Sequence, residues 1–256
     1  RTEPDERMMT WLLDLDGVVW LAERPIDGAA DAVARLRKAG ERVVFATNNS
    51  WARLADQESK LERMGIPAAG DVVTSAMAAA NLVEPGERVL VAGGPGVVEA
   101  VARRGGEAVR EGDADAVIVG FHRDFDYERL RRAMTAVLHG ARLIATNDDA
   151  TYPTPDGPIP GGGSLAAAVA YAAGVAATVA GKPHRPMADL VRAIAGGEGT
   201  VVGDRPDTDG AFAAALGYRF ALVLTGVTSE SDLPVDPEPA IVARSLADLV
   251  PWKVRG

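Results

Sequence analysis

Short apolar runs rich in β-branched residues alternate along this chain with longer stretches in which apolar positions return every three or four residues. The first cycles read "WLLDLD", a helix through "GAADAVARLRKAG", then "RVVFATNN" and a helix from Ser50 to Met64. "RVLVAGG", "DAVIVGF", "ARLIATN", "TVVGD" and "RFALVLTG" continue the strand half of the rhythm, with amphipathic stretches such as "YERLRRAMTAVLHG" between them. Near-continuous apolar strands separated by helices mark a parallel sheet covered on both faces, so the pattern predicts an α/β fold of βαβ units. Two seams interrupt it. They are "VVTSAMAAANLVEPGE" near residue 74 and "VAATVAGKPHRP" near residue 181, where small residues and a Gly-Lys-Pro break the alternation. An inserted domain over residues 75–180, between core segments 1–74 and 181–256, accounts for both. The acidic, proline-rich "SESDLPVDPEPAIV" reads as a surface connection.

Composition narrows the function classes more than the fold. At 256 residues, 47% hydrophobic and 25% charged, the chain has ample material for a buried core. No apolar run approaches the roughly 20 residues that span a membrane. The opening "RTEPDERMM" lacks the apolar stretch of a secretory signal, and a cytoplasmic location is expected. With no cysteine, disulfides, thiolate metal sites and cysteine nucleophiles are excluded. A formal net charge of −9 argues against nucleic acid or an anionic membrane surface as partner. An anionic small-molecule substrate must then be held by local groups.

Four segments share one grammar, an apolar run followed at once by polar residues and a turn: "LLDLDG", "VVFATNNS", "AGKPH" and "VVGDRPDTD". Asp14 and Asp16 stand two apart, so a continuing strand would set two like charges on one face. Gly17 supplies the turn that ends it. Ligands of parallel α/β sheets bind outside the carboxyl ends of the strands. Placing all four segments there gathers several carboxylates, Lys182, and the donors of Thr47 and Asn48 in one cleft. Unit charges 4 Å apart repel by about 4 kcal/mol at an effective dielectric near 20, so such carboxylates call for a hard cation. Oxygen ligands of this kind suit Mg²⁺, and the chemistry implied is phosphoryl transfer.

These motifs, taken in order, resemble those of the haloacid dehalogenase-like phosphatases, in particular the branch of p-nitrophenylphosphatase and phosphoglycolate phosphatase type. "IATNDDATYPTPDGPIPGGGSLAAAV" running into "GKP" is similar to that branch's cap domain, so the resemblance spans nearly the whole chain. It implies a Rossmann-like core with an inserted α/β cap, and Mg²⁺-dependent hydrolysis of small phosphate monoesters such as glycerol phosphate or phosphoglycolate. By the resemblance, Asp14 is the nucleophile that forms an aspartyl-phosphate, and Asp16 the general acid and base. Carboxylates of Asp14 and Asp204 with the Asp16 carbonyl bind Mg²⁺, and Asp209 supports the metal. Thr47 with the amides of Asn48 and Asn49 holds phosphate oxygens, aided by the helix that Ser50 opens, and Lys182 balances charge. The leaving group falls to the cap, where Phe121 and Tyr152 are the candidates and Arg123 a further one for an acidic leaving group. Oligomerisation through the cap is compatible with this reading. A phosphotransferase or mutase on the same core, or a ligand-binding protein that kept the fold without catalysis, are the alternatives.

Other motifs take structural readings. "VAGGPGVVEA" follows a strand and precedes a helix, but Glu99 stands where a dinucleotide site would have its third glycine, and a tight turn is expected. "PGGGS" reads as a flexible connection and helix start, Asp207 as a first-turn residue outside the metal set, and His139 as a helix end. His122, His139 and His184 have no metal-ligand spacing.

Overall fold

A computed structural model describes residues 9–22, 24–152, 154 and 157–250. The opening segment read above for a signal, through residue 8, lies outside them. The chain divides into two compact units: one holds the residues through Ala46, Lys60–Val72 and those from Val191 on, the other Thr47–Ser59 and Val73–Leu190.

The fold is α/β, as the alternation predicts. A six-stranded sheet, nearly all of it in the first unit, runs in the order Ile241–Ala243, Arg219–Val223, Gly199–Gly203, Thr10–Leu13, Arg42–Thr47, Val72–Thr74. Thr10–Leu13 lies inside it, parallel to both neighbours, with Leu13 level with Val202 on one side and Phe45 on the other. Leu12, Leu13, Val202 and Phe45 are fully buried, which is why this strand carries no alternation of polar residues. Parallel pairing in this register brings the ends of two strands level. Asp14 directly follows Leu13, its amide donates to the Val202 carbonyl at 2.9 Å, and Asp204 directly follows Gly203.

The second unit has its own sheet, all parallel, in the order Thr178–Val179, Arg142–Ala145, Ala116–Val119, Arg88–Ala92, Glu107–Val109. The helices Tyr127–Leu138 and Gly162–Ala173 bury Ala133, Val137, Ala166 and Val169 in one cluster with Val117, Val119 and Leu143 of this sheet. Asp126 caps the first of these helices through the Arg129 amide at 2.8 Å, and His139 ends it. Ala92, Val119, Ala145 and Val179 are level at one edge. From that edge leave Gly93, Phe121, Asn147 and Lys182.

Two expectations need correction, and two others gain detail. The helix expected from Ser50 begins at Leu54, because the Leu54 amide is taken by the Glu99 carboxylate at 2.8 Å and Ser50 is buried against the Thr146 hydroxyl. "AGKPH" does not follow a strand of the same sheet as Asp14: Lys182 follows Thr178–Val179, which pairs with Arg142–Ala145. "PGGGS" is a helix start as expected, with the helix beginning at Gly162, and its glycines allow close packing, since a Cβ on Gly161 or Gly163 would sit 2.3 Å from the backbone of Asp149 or Asp148. The surface segment "SESDLPVDPEPAIV" carries a short turn at Glu230–Asp232 and ends in the edge strand Ile241–Ala243, held by its ladder to Arg219–Val223.

Candidate active site

In the first unit, one carboxylate oxygen from each of Asp14, Asp204 and Asp209 lies within 4.8 Å of the other two. Asp204 and Asp209 are 3% and 1% exposed, and Asp14 is half-buried. Asp209 reaches the cluster from a π-helical turn, Pro206–Gly210, which folds it back over Gly203. The Arg205 amide donates to its Oδ2 at 3.3 Å, and the Val227 amide to Asp204 Oδ2 at 2.6 Å. Asp207, on the same turn, is exposed and pairs with Arg205 at 3.4 Å.

Three glycines admit these side chains. A Cβ on Gly226 would lie 1.9 Å from Asp204 Oδ2, one on Gly17 2.5 Å from the same carboxylate, and one on Gly203 2.2 Å from that of Asp209. Gly17 also needs its positive φ of 80° for the turn. Three carboxylates this close repel by roughly 3–4 kcal/mol per pair at an effective dielectric near 20. An all-oxygen, mostly carboxylate set enclosed by glycine backbone suits a small hard divalent cation, so these residues fit Mg²⁺. The Asp16 carboxylate is not one of the three, in keeping with a resemblance that assigns the metal its carbonyl instead; its Oδ1 accepts from the Trp20 indole N–H at 3.0 Å.

The polar residues of the second unit form a separate network around Asn48. Its carboxamide closes on the Lys182 backbone in both directions, accepting from the amide at 2.8 Å and donating to the carbonyl at 3.1 Å, and it also donates to Asp149 Oδ2 at 3.1 Å. Ser75 and Asn147 each donate to the Asn48 carbonyl at 2.8 Å. Gly181 makes the clamp possible, because a Cβ there would be 2.5 Å from Asn48 Oδ1. Lys182 is 2% exposed, which sets it apart from the solvated loop lysines common on protein surfaces. Thr47 is buried and its hydroxyl accepts from the Asn49 amide at 3.0 Å. The expected help of a helix N-terminus opened by Ser50 is absent at that point, since Leu54 begins the helix and Glu99 satisfies its amide.

Phe121 and Tyr152, both half-buried, stack with ring centres 5.0 Å apart and planes at 22°. Tyr152 stands opposite Ile159 in a short antiparallel pair; Pro153 and Pro155 lie outside the described residues. Arg123 is exposed. His122 is buried, its Nδ1 is 2.9 Å from the Gly120 carbonyl, and burial pushes its pKa below the ordinary value.

Sequence reasoning missed Trp20, Asn147, Asp149 and the glycine at 226. One signal was available. "FATNN" and "IATND" end two strands with the same Ala-Thr-Asn, and the second supplies Asn147. No comparable signal marks Gly226 or the return of Trp20 onto Asp16.

Two family models match the chain: a haloacid dehalogenase-like hydrolase model over residues 11–107 and a HAD-hydrolase-like model over residues 179–249. The chain is 40% identical to a D-glycerol 3-phosphate phosphatase of Mycobacterium tuberculosis over 86% of its own length and 64% of that protein's, so it spans about two thirds of this relative. A solved p-nitrophenyl phosphatase from Archaeoglobus fulgidus is 31% identical with a TM-score of 0.89, covering 95% of this chain and 98% of that one. A glycerol phosphate phosphatase from Mycobacterium tuberculosis, solved in complex with magnesium, is 35% identical with a TM-score of 0.87, over 95% of this chain and 76% of that one.

Proposed function

The chain belongs to the haloacid dehalogenase-like hydrolases, and from that premise we propose that it hydrolyses small phosphate monoesters with Mg²⁺ through an aspartyl-phosphate. The observation that carries this reading is the convergence of Asp14, Asp204 and Asp209 oxygens within 4.8 Å, a set that only a cation or protonation makes tolerable. Asp14, Asp204 and Asp209 would hold Mg²⁺, which supplies charge compensation between an anionic nucleophile and an anionic ester. A carboxylate oxygen of Asp14 attacks phosphorus and the ester P–O bond breaks. Asp16 gives its proton to the departing alkoxide, then takes one from the water that cleaves the acyl phosphate and regenerates Asp14. Thr47 and the loop amides at Asn48 and Asn49 orient phosphate oxygens, and Lys182, held by its backbone, contributes positive charge.

Residues 75–180 act in this proposal as a cap that reads the leaving group, with the stacked Phe121 and Tyr152 as its aromatic wall. The relatives named for glycerol phosphate support a small, hydroxylated leaving group. No helix among the described residues is long and apolar enough to cross a membrane; action in the cytoplasm is part of the proposal. The test is release of inorganic phosphate from p-nitrophenyl phosphate and glycerol 3-phosphate with Mg²⁺ and no added acceptor. Turnover is expected, with loss in EDTA and in Asp14→Asn. Phosphate release that survives complete chelation would overturn the metal assignment, and transfer that requires an added alcohol would favour a phosphotransferase.

A further inference from the structure

The loop after the first strand does more than end it. Gly17 donates its amide to the Trp20 carbonyl at 2.7 Å, and Trp20 donates its own to the Leu15 carbonyl at 3.1 Å. This double closure carries Trp20 back over the chain four residues earlier, where its indole N–H meets Asp16 Oδ1 at 3.0 Å. Trp20 is 2% exposed, so the ring has little freedom to leave. Its face is covered by Lys60, whose Nζ lies 4.1 Å from the ring centre and is itself anchored by donating to the Ala22 carbonyl at 3.0 Å. A short antiparallel pair, Trp20–Leu21 with Arg24–Pro25, holds the segment from the other side.

We infer that Trp20 is a positioning residue for Asp16, with Lys60 holding the indole in place. A general acid must present its proton within hydrogen-bond reach of the leaving oxygen, and a carboxylic acid on a short side chain rotates readily unless one oxygen is tied. The indole ties Oδ1 and thereby sets the plane of the carboxyl. A cation over an indole face is attracted to the ring and draws electron density from it, which makes the N–H a better donor. The phenyl ring of a phenylalanine would fill most of the same space and tie nothing.

This assignment rests on Asp16 acting as the acid, and the experiment separates the two ideas. Values of kcat/KM report steps through the first irreversible one, here P–O cleavage, so they are compared for p-nitrophenyl phosphate, whose leaving group needs little protonation, and for glycerol 3-phosphate, whose alkoxide needs it. Trp20→Phe should lower kcat/KM for glycerol 3-phosphate about tenfold, a part of the ~10²–10⁴ that a general acid supplies, and that for p-nitrophenyl phosphate about threefold or less. Lys60→Met, which keeps the stem and leaves the ring in place, should show the same selectivity at about threefold for the alkyl ester, and remains informative if Trp20→Phe does not fold. Asp16→Asn is run alongside. If Asp16→Asn is selective for the alkyl ester while Trp20→Phe and Lys60→Met are not, the positioning role is overturned and the acid role stands. If Asp16→Asn itself loses both esters equally, the acid role fails and this inference with it.

Discussion

Gly226→Ala tests whether the acidic cluster is built by close backbone approach. The added Cβ would lie 1.9 Å from Asp204 Oδ2, where real contacts stay beyond 3.0 Å, so the carboxylate must retreat by about 1.1 Å. Gly226 has no positive φ to defend, which leaves the collision as the whole perturbation. A retreat of that size breaks the 2.6 Å bond from the Val227 amide and pulls one oxygen out of a cluster only 4.8 Å across. Loss of a partner that orients a metal ligand costs about 10- to 100-fold in affinity, so the Mg²⁺ concentration for half-maximal phosphatase activity should rise by that factor. Overpacking adds a stability cost of about 1–3 kcal/mol, visible as a lowered melting temperature. The assay is a Mg²⁺ titration of p-nitrophenyl phosphate hydrolysis, with calorimetric binding of Mg²⁺ alone as an activity-free readout. Gly197→Ala serves as control, because a Cβ there meets nothing within 4 Å and φ is not positive. A Gly226→Ala protein with wild-type Mg²⁺ dependence would refute the reasoning.

Further outcomes follow from the same geometry. Asp14→Asn should abolish turnover yet raise the melting temperature in EDTA, because it removes up to two repulsions of roughly 3–4 kcal/mol each; a lowered melting temperature in EDTA counts against the cluster. Asn48→Asp loses the donor to the Lys182 carbonyl and sets a second carboxylate 3.1 Å from Asp149 Oδ2, so urea unfolding should show a loss of about 2 kcal/mol or more; an unchanged midpoint would dismiss the clamp. Tyr152→Ala gives up a stacking contact worth about 0.5–1.5 kcal/mol and should change kcat/KM unequally across a panel of esters. A uniform profile with a sharply lowered melting temperature would instead make it a packing residue. His122 is buried and its pKa is held below the ordinary 6.5, so on acidification through that value the unfolded chain takes up a proton the folded one refuses. Stability should therefore fall as pH drops below about 6.5, and His122→Gln should flatten that part of a melting-temperature profile. The Asp124 carboxyl, held low by its hydrogen bond to Arg129, loses its contribution only at lower pH.

The alternation of apolar runs and amphipathic stretches was enough to predict a parallel α/β fold, because a strand buried on both faces must be apolar throughout and the period of a helix is local; that the insert would carry a parallel sheet of its own was not in the pattern. Asp14 and Asp204 were legible for the same reason: a carboxylate directly after such a run has to emerge at a sheet edge, and parallel register levels the two edges. Asp209 was read as a supporting residue, and its entry into the cluster depends on a π-helical turn stacked on Gly203. Ser50 carries a local preference for helix starts, which lost to the Glu99 carboxylate, 45 residues beyond Leu54, that caps the helix at Leu54 instead. Lys182 was recognised as chemistry from "GKP" but assigned to the wrong sheet, since two-residue strands such as Thr178–Val179 carry too little pattern to declare their partner. Trp20 on Asp16, Gly226 against Asp204 and Gly181 under Asn48 left no mark in periodicity or composition. Residue type and spacing along a chain determine which elements form and what leaves their ends. Which atoms then come within 3 Å across long sequence separations is decided by packing, where one missing Cβ admits a carboxylate and one added Cβ would exclude it.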